Sequence, residues 1–308
     1  MLSLRLVFSL SDYNKKMKVT GFSFIRNAVN NDYPVVQAIL SILPICDEFV
    51  IAVGDSTDNT LELIEGIGSP KIKIIHTIWD ESIREGGKTF AQETDKAYAA
   101  ISKDTDWAFY IQGDECVHEN YLPMIKKAME ENLKKKYVEG LLFKYLHFYG
   151  SYDFIASSRR WYRNEVRILK FDSQVHSYRD AQGFRKNGRK IKVKPIDAYI
   201  YHYGWVQPPA GLGNKVRNFN KFYHEDSWIR ENVPENNEFD YGNADRLIRF
   251  EGTHPHVMQK RIEVSNWKFQ VDPTLLKKKM SLRRRVLQKI EDMWQWRIGE
   301  YKNYKTVQ

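Results

Sequence analysis

Gln112, Gly113, Asp114 and Glu115 stand in a row, with His118 and Glu119 just beyond them. Directly before lie residues 107–111, WAFYI, which read as a buried strand. A buried strand that runs into small and acidic residues sets carboxylates at the carboxyl edge of a sheet. Open α/β sheets bind their ligands at that edge. Hard divalent cations take carboxylate oxygens, so a turn of this kind can hold one. The plainer use of the same residues is to cap the helix that follows, and His118 and Glu119 suit that use.

Other polar residues fall at equivalent places. Residues 19–25 read as a first strand and run into Arg26 and Asn27. Pro34 suits the first turn of a helix over about 32–43. Residues 49–53 read as a second strand, followed by a turn that carries Asp55 and Asp58 and a helix over 60–67. A third strand is expected over 71–75. Gly86 and Gly87, between Arg84 and Lys88, precede a helix over about 89–101. Strands and helices alternating every 20–30 residues or so argue for an α/β fold with a mostly parallel, doubly wound sheet and flanking helices. Right-handed crossovers gather the loops after the strands on one edge, so the 55–58 and 112–115 turns should face one crevice.

Past Glu119 the pattern changes. A basic amphipathic helix is expected over 122–136, strands over 141–148 and 166–171, and a strongly basic stretch over 179–194. An apolar strand over 198–203 contains His202. Helices are expected over about 214–231, 243–251 and 254–262, and a basic tail helix from 274. A composition break at 205–213, WVQPPAGLG, suggests three units. These are an extension over 1–16 ahead of the orderly stretch opened by Met17, a main domain over 17–213, and a helical extension over 214–308.

The chain has 308 residues and a formal net charge of +9, which favours anionic partners. Its only cysteines, Cys46 and Cys116, offer no disulfide framework and suit a reducing, cytoplasmic setting. No apolar run is long enough to span a bilayer. Residues 1–10 lack the cleavage site of a signal peptide. In the tail, Leu282, Val286, Ile290, Met293 and Trp294 share one helical face among many cations. A packed helix is one reading of it. Peripheral association with an anionic membrane is the other.

Four segments, FSFIRNAVNN, EFVIAVGDSTDNT, GGKTFAQETDKAYAAI and WAFYIQGDE, occur in the order and spacing of the family-2 glycosyltransferases of GT-A fold, which the chain resembles up to about residue 215. The resemblance implies inverting transfer from a nucleotide-sugar donor to a hydroxyl of a glycan or lipid-linked acceptor, with a divalent metal (Mn or Mg) on the diphosphate. Carried over by position, Asp114 is the last aspartate of the DxD signature and a metal ligand, while Gln112 stands where the first aspartate is usual. Val53 and Gly54 replace the aspartates that usually contact the base, so Asp55 is expected to serve from a shifted position. Arg26, Asn27, Asp58 and Lys88 fall on the donor side, and Glu115 is expected to orient the acceptor. His202 resembles the late histidine that completes metal coordination. The catalytic base is expected to be Asp180, with Asp153, Glu165 and Asp172 as competitors.

Three rival readings follow from the same residues. A sugar nucleotidyltransferase would show a Gly-rich phosphate loop after the first strand, and FIRNAVNN has no glycine. A polyanion-binding protein would cluster its basic and aromatic residues on a binding module, whereas here the charge is spread, so no nucleic acid is expected. A glycosyltransferase fold kept only for binding is a third, since neutral Gln112 contributes less charge to a metal site.

Overall fold

The computed structural model describes residues 16–233, 239–267, 269, 276 and 280–307. Its centre is a run of four parallel strands. β1 (Val19–Ile25) pairs with β2 (Glu48–Gly54) on one side and β4 (Trp107–Tyr110) on the other, and β3 (Ile72–Thr77) pairs with β2. β1, β2 and β4 are covered on both faces, which is why they read as almost unbroken apolar runs. On one face, Val35, Ile39 and Ile42 of α1 (Val35–Ile42) pack with Ile125 and Met129 of α4 (Leu122–Asn132). On the other, Phe90 and Tyr98 of α3 (Lys88–Ala99) pack with Phe22 and Tyr110. A short helix, α2 (Thr60–Glu65), follows β2. This is the α/β class expected, with a mostly parallel core and flanking helices.

Beyond β4 the sheet becomes mixed. β8 (Asn164–Lys170) runs antiparallel to β4 and to β6 (Gly140–Tyr149). The long β12 (Lys192–Trp205) runs parallel to β6 and pairs antiparallel with β5 (Glu115–Val117). Register then positions the chemistry: His202 lies opposite Glu115 on one side and His147 on the other.

Several expectations need correction. The first helix begins at Val35, because Asp32 takes a positive φ of 49° and ends the preceding turn. The basic stretch at 179–194 is not a bare surface run. β9 (Val175–Tyr178), β10 (Gly183–Lys186) and β11 (Arg189–Lys190) form a small antiparallel sheet over α3, with Phe184 buried beneath it. The expected helix at 243–251 is instead β13 (Leu247–Arg249), which pairs with β7 (Phe154–Ala156). Residues 214–231 are divided between α5 (Pro209–Asn220) and α6 (Asp226–Asn232), so position 213 falls within a helix. α7 is Gln259–Glu263, the tail helix α8 runs Leu282–Trp294, and β14 (Lys305–Thr306) pairs with β12. Nearly all of the expected 1–16 extension lies outside the described residues, as does residue 274. Among the described residues no helix is long and apolar enough to cross a membrane, and both cysteines are free and buried.

Candidate active site

A cleft of about 810 Å³ opens at the carboxyl ends of β1 and β4, and α5 forms its far wall. Arg26, Asn27, Gln112, Asp114, Asp180 and His202 all line it. At its floor, Asp114 Oδ2 lies 3.6 Å from His202 Nε2 and 3.5 Å from Lys215 Nζ. Burial by itself would raise the Asp114 carboxyl, but His202 and Lys215 hold it far below the usual carboxylate range. Burial pulls Lys215 below its ordinary value, with Asp114 opposing the shift. Lys215 also donates to the Gly204 carbonyl at 2.8 Å and sits 4.2 Å from the centre of the Tyr33 ring.

The hydrogen bonds orient the His202 ring. His147 Nε2 lies 2.8 Å from the Tyr162 carbonyl, which can only accept, so that nitrogen carries the proton. Burial, followed by the neighbouring His202, holds His147 well below its ordinary pKa, so it is neutral and its Nδ1 must accept. His202 Nδ1, 3.2 Å away, is therefore the donor. His202 Nε2 is then the ring atom that faces Asp114. Gly204 keeps this corner open: a Cβ there would come within 2.5 Å of Asp114 Oδ2 and 2.8 Å of His202 Nε2.

This donor set fits a divalent ion that takes two ligands from the chain and the rest from a diphosphate and water. A carboxylate oxygen and an imidazole nitrogen converge on one point, and a hydrogen bond from the other ring nitrogen orients the imidazole, as metal-bound histidines require. Among the described residues no group of three or more His, Cys, Asp or Glu is gathered for a metal.

Gln112 has a structural role that the sequence hides. Its Nε2 donates to the Tyr110 hydroxyl at 3.2 Å and to the Ala181 carbonyl at 3.4 Å. An aspartate could not donate to that carbonyl. Gln112 thereby ties the 112–115 turn to the β9–β10 turn that carries Asp180. Both neighbours of Asp180 are non-glycine residues at positive φ, Arg179 at 58° and Ala181 at 62°, a costly conformation held in place by its surroundings. Asp180 Oδ2 accepts a hydrogen bond from Tyr223 at 3.0 Å. The turn also abuts Gly87, where φ is +68° and a Cβ would meet Tyr223 Oη at 2.6 Å.

On the donor side, Arg26 pairs with Asp55 at 3.3 Å and Glu81 at 2.7 Å. Asp55 also accepts from the Trp79 backbone N–H at 3.3 Å, which places it behind Arg26 and off the cleft wall. Asn27 takes a positive φ of 52°, and its Oδ1 accepts from the Thr57 N–H at 2.8 Å. Two further expected contacts are displaced. Asp58 does not line the cleft; its carboxylate accepts from the backbone N–H groups of Asn30 (2.7 Å) and Thr60 (3.1 Å) and pins a loop to a helix start. Lys88 points to solvent and pairs with Glu85, while its neighbour Arg84 reaches the cleft.

Glu115 is fully buried and cannot orient an acceptor. Its two oxygens accept from Arg167 Nη2 (2.8 Å) and Nε (2.9 Å), from Tyr145 (2.8 Å) and from the Gln112 N–H (3.1 Å). All four lone-pair sites are taken. Of the competing bases, Glu165 is buried beside Gly183, and Asp172 is paired with Lys186.

Lys215 and Arg167 are cleft residues that sequence reasoning did not rank. Lys215 lies past the expected boundary at 213, and nothing in GLGNKVRN distinguishes a buried lysine from a solvated one.

No protein-family model matches the chain, and no curated protein matches it. Solved structures do. S. aureus TarS is 15% identical over 66% of this chain, which spans only 39% of the full TarS structure (TM-score 0.38). The TarS 1–349 form in complex with UDP-GlcNAc gives a TM-score of 0.39 at 15% identity, over 66% of this chain and 65% of that one. Glucosyl-3-phosphoglycerate synthase from Mycobacterium tuberculosis, in complex with Mn2+, UDP and phosphoglyceric acid, gives 0.29 at 19% identity, over 43% of each chain. 4-Diphosphocytidyl-2C-methyl-D-erythritol synthase from Anaerococcus prevotii gives 0.37 at 12% identity, over 62% of this chain and 90% of that one. Likenesses this distant carry no argument about activity.

Proposed function

We propose that this chain is a glycosyltransferase of GT-A type that moves a sugar from a nucleotide-sugar donor to an acceptor hydroxyl, with inversion. The observation that carries the reading is the convergence of Asp114, His202 Nε2 and Lys215 on one point of the cleft floor, with Arg26 and Arg84 on its walls. Such a site suits a metal-bound diphosphate: one carboxylate, one imidazole and three cations.

Asp114 and His202 would hold a divalent ion, Mn2+ or Mg2+, and the ion would supply charge neutralisation for the departing diphosphate. Lys215 adds a fixed positive charge beside the leaving group. Arg26 and Asn27, at the end of β1, face the nucleotide. Asp180, tethered through Ala181 to Gln112 and held by Tyr223, takes the proton from the acceptor hydroxyl. The freed oxygen attacks the anomeric carbon as the bond to the diphosphate breaks. A glycan or a lipid-linked glycan is the acceptor class we favour. The free, buried cysteines accord with work in the cytoplasm.

The test is release of nucleoside diphosphate across a panel of UDP-, GDP- and dTDP-sugars, with and without Mn2+. Metal-dependent turnover of one donor is expected, and it should vanish in Asp114→Ala. A well-folded protein silent on every donor and acceptor tried would set the reading aside.

A further inference from the structure

α8 packs the wrong way round for an ordinary amphipathic helix. Its inner face is polar: Glu291 is buried among Arg159 (2.8 Å), Arg297 (3.2 Å) and Arg163 (3.3 Å), and Gln288 is buried one turn earlier. Most of its apolar residues face outward, with Leu287 and Ile290 half-buried at the sides. Leu282 is 76% exposed, Met293 70% and Trp294 64%, and Val286 and Trp296 are also exposed. At 3.6 residues per turn, Leu282, Val286 and Met293 fall within about 40° of one another, opposite Glu291. A packed surface helix does the reverse.

The flank of this stripe is cationic. Arg285 and Lys289 border the stripe, and Arg283 and Arg284, also exposed, lie further round toward the inner face at the helix start. At its start a cleft of about 360 Å³ opens between α8 and the 159–160 segment, lined among the described residues by Arg159, Arg160, Ser281, Arg283, Arg284 and Leu287, none of them a carboxylate. Asp292, the nearest acidic side chain on the outer half of the helix, is paired with Arg246 at 2.9 Å.

We propose that this face is a docking surface for an anionic phospholipid bilayer, with the Leu282–Trp296 stripe entering the headgroup boundary and the arginine cleft receiving a headgroup phosphate. Exposed tryptophans beside a basic stripe are what such an interface selects. A helix of 13 residues lies on a bilayer and cannot cross it. Charge complementarity favours this occupant over a second copy of the chain, since a symmetric pairing of two such faces would set arginines against arginines. The proposal does not rest on the sugar-transfer reading, and vesicle binding is measured without any donor.

The experiment is flotation of the full chain with vesicles of phosphatidylcholine alone or mixed with phosphatidylserine, at low and high salt. Binding is expected only to the mixed vesicles, weakening as salt rises. Each cation near an anionic surface contributes about fivefold to partitioning, so Arg283→Glu with Arg284→Glu should lower it by about 25-fold or more. Trp294→Ser with Trp296→Ser should lower it at least tenfold, with the melting temperature of both variants unchanged because these side chains are exposed. No binding at low salt, equal binding to neutral vesicles, or wild-type partitioning by either folded double variant would overturn the proposal. So would concentration-dependent dimerisation in sedimentation without vesicle binding.

Discussion

Glu115→Gln should be a stability variant and not a substrate-binding variant. Glu115 and Arg167 form a bidentate pair at 2.8 and 2.9 Å, with side chains 0% and 1% exposed. The guanidinium also stacks over Tyr110 and Tyr145, at 5.2 and 5.3 Å from their ring centres. Replacing the carboxylate with an amide leaves that guanidinium buried without its counter-charge and turns an amide N–H toward a donor. Breaking a buried pair in this way costs about 3–5 kcal/mol. At about 2 °C per kcal/mol for a chain of this length, the melting temperature should fall by roughly 6–10 °C. Differential scanning calorimetry at neutral pH reads it. Replacing both partners together, Glu115→Met with Arg167→Met, should cost less than the sum of the single changes, because no charge is then stranded. A Glu115→Gln variant that melts within a degree of the parent while its acceptor KM rises would refute this reasoning and return Glu115 to the acceptor site.

Other outcomes follow from the same geometry. Glu165 is buried, and desolvation, with Arg167 opposing, raises its carboxyl from an ordinary 4.5 to about 8. The native state therefore binds more protons than the unfolded one between those values, so this group's contribution falls as pH rises from 4.5 to 8 and is fully lost above that. Glu165→Gln should gain melting temperature over the parent at pH 9 and show little difference below pH 4.5; parallel curves across pH would contradict it. Gly204→Ala should fold but lose transfer, since its Cβ fills the point between Asp114 and His202; normal turnover would show that nothing needs to bind there. Lys215→Met should lower kcat by about 100-fold or more, the usual cost of one preorganised charge at a leaving group, as read by steady-state kinetics. Asp180→Asn should abolish transfer while donor affinity stays within a factor of about two, and near-normal turnover would remove it from the mechanism.

The N-terminal half of the fold was legible because buried parallel strands write themselves as apolar runs, and WAFYI followed by QGDE marks the sheet edge directly. Arg26, Asn27, Gln112, Asp114, Asp180 and His202 were singled out from the sequence and do meet in one cleft. What sequence could not show is which polar atoms are already used. Asp58 and Glu115 look as available as Asp114, yet backbone N–H groups consume the first and Arg167 the second. The β9–β11 sheet was hidden because its lysines and arginines look like a solvated run, while one alternating residue, Phe184, carries its packing. Lys215 was missed because helix α5 crosses the composition break that suggested a boundary. In the tail the apolar periodicity of α8 was visible, but its direction was not. Only the ion pairs of Glu291 show that the apolar side faces out.

The most direct test of the central claim is calorimetric titration of nucleoside diphosphates, UDP first, into the parent and Asp114→Ala proteins, with and without Mn2+. The expected result is saturable one-site binding to the parent for one base, strengthened by Mn2+, with affinity at least about tenfold weaker in the variant, the usual scale for disturbing a metal site. Binding that is equal in both proteins, or absent for every base while both remain folded, would contradict the assignment of this cleft to a nucleotide-sugar diphosphate.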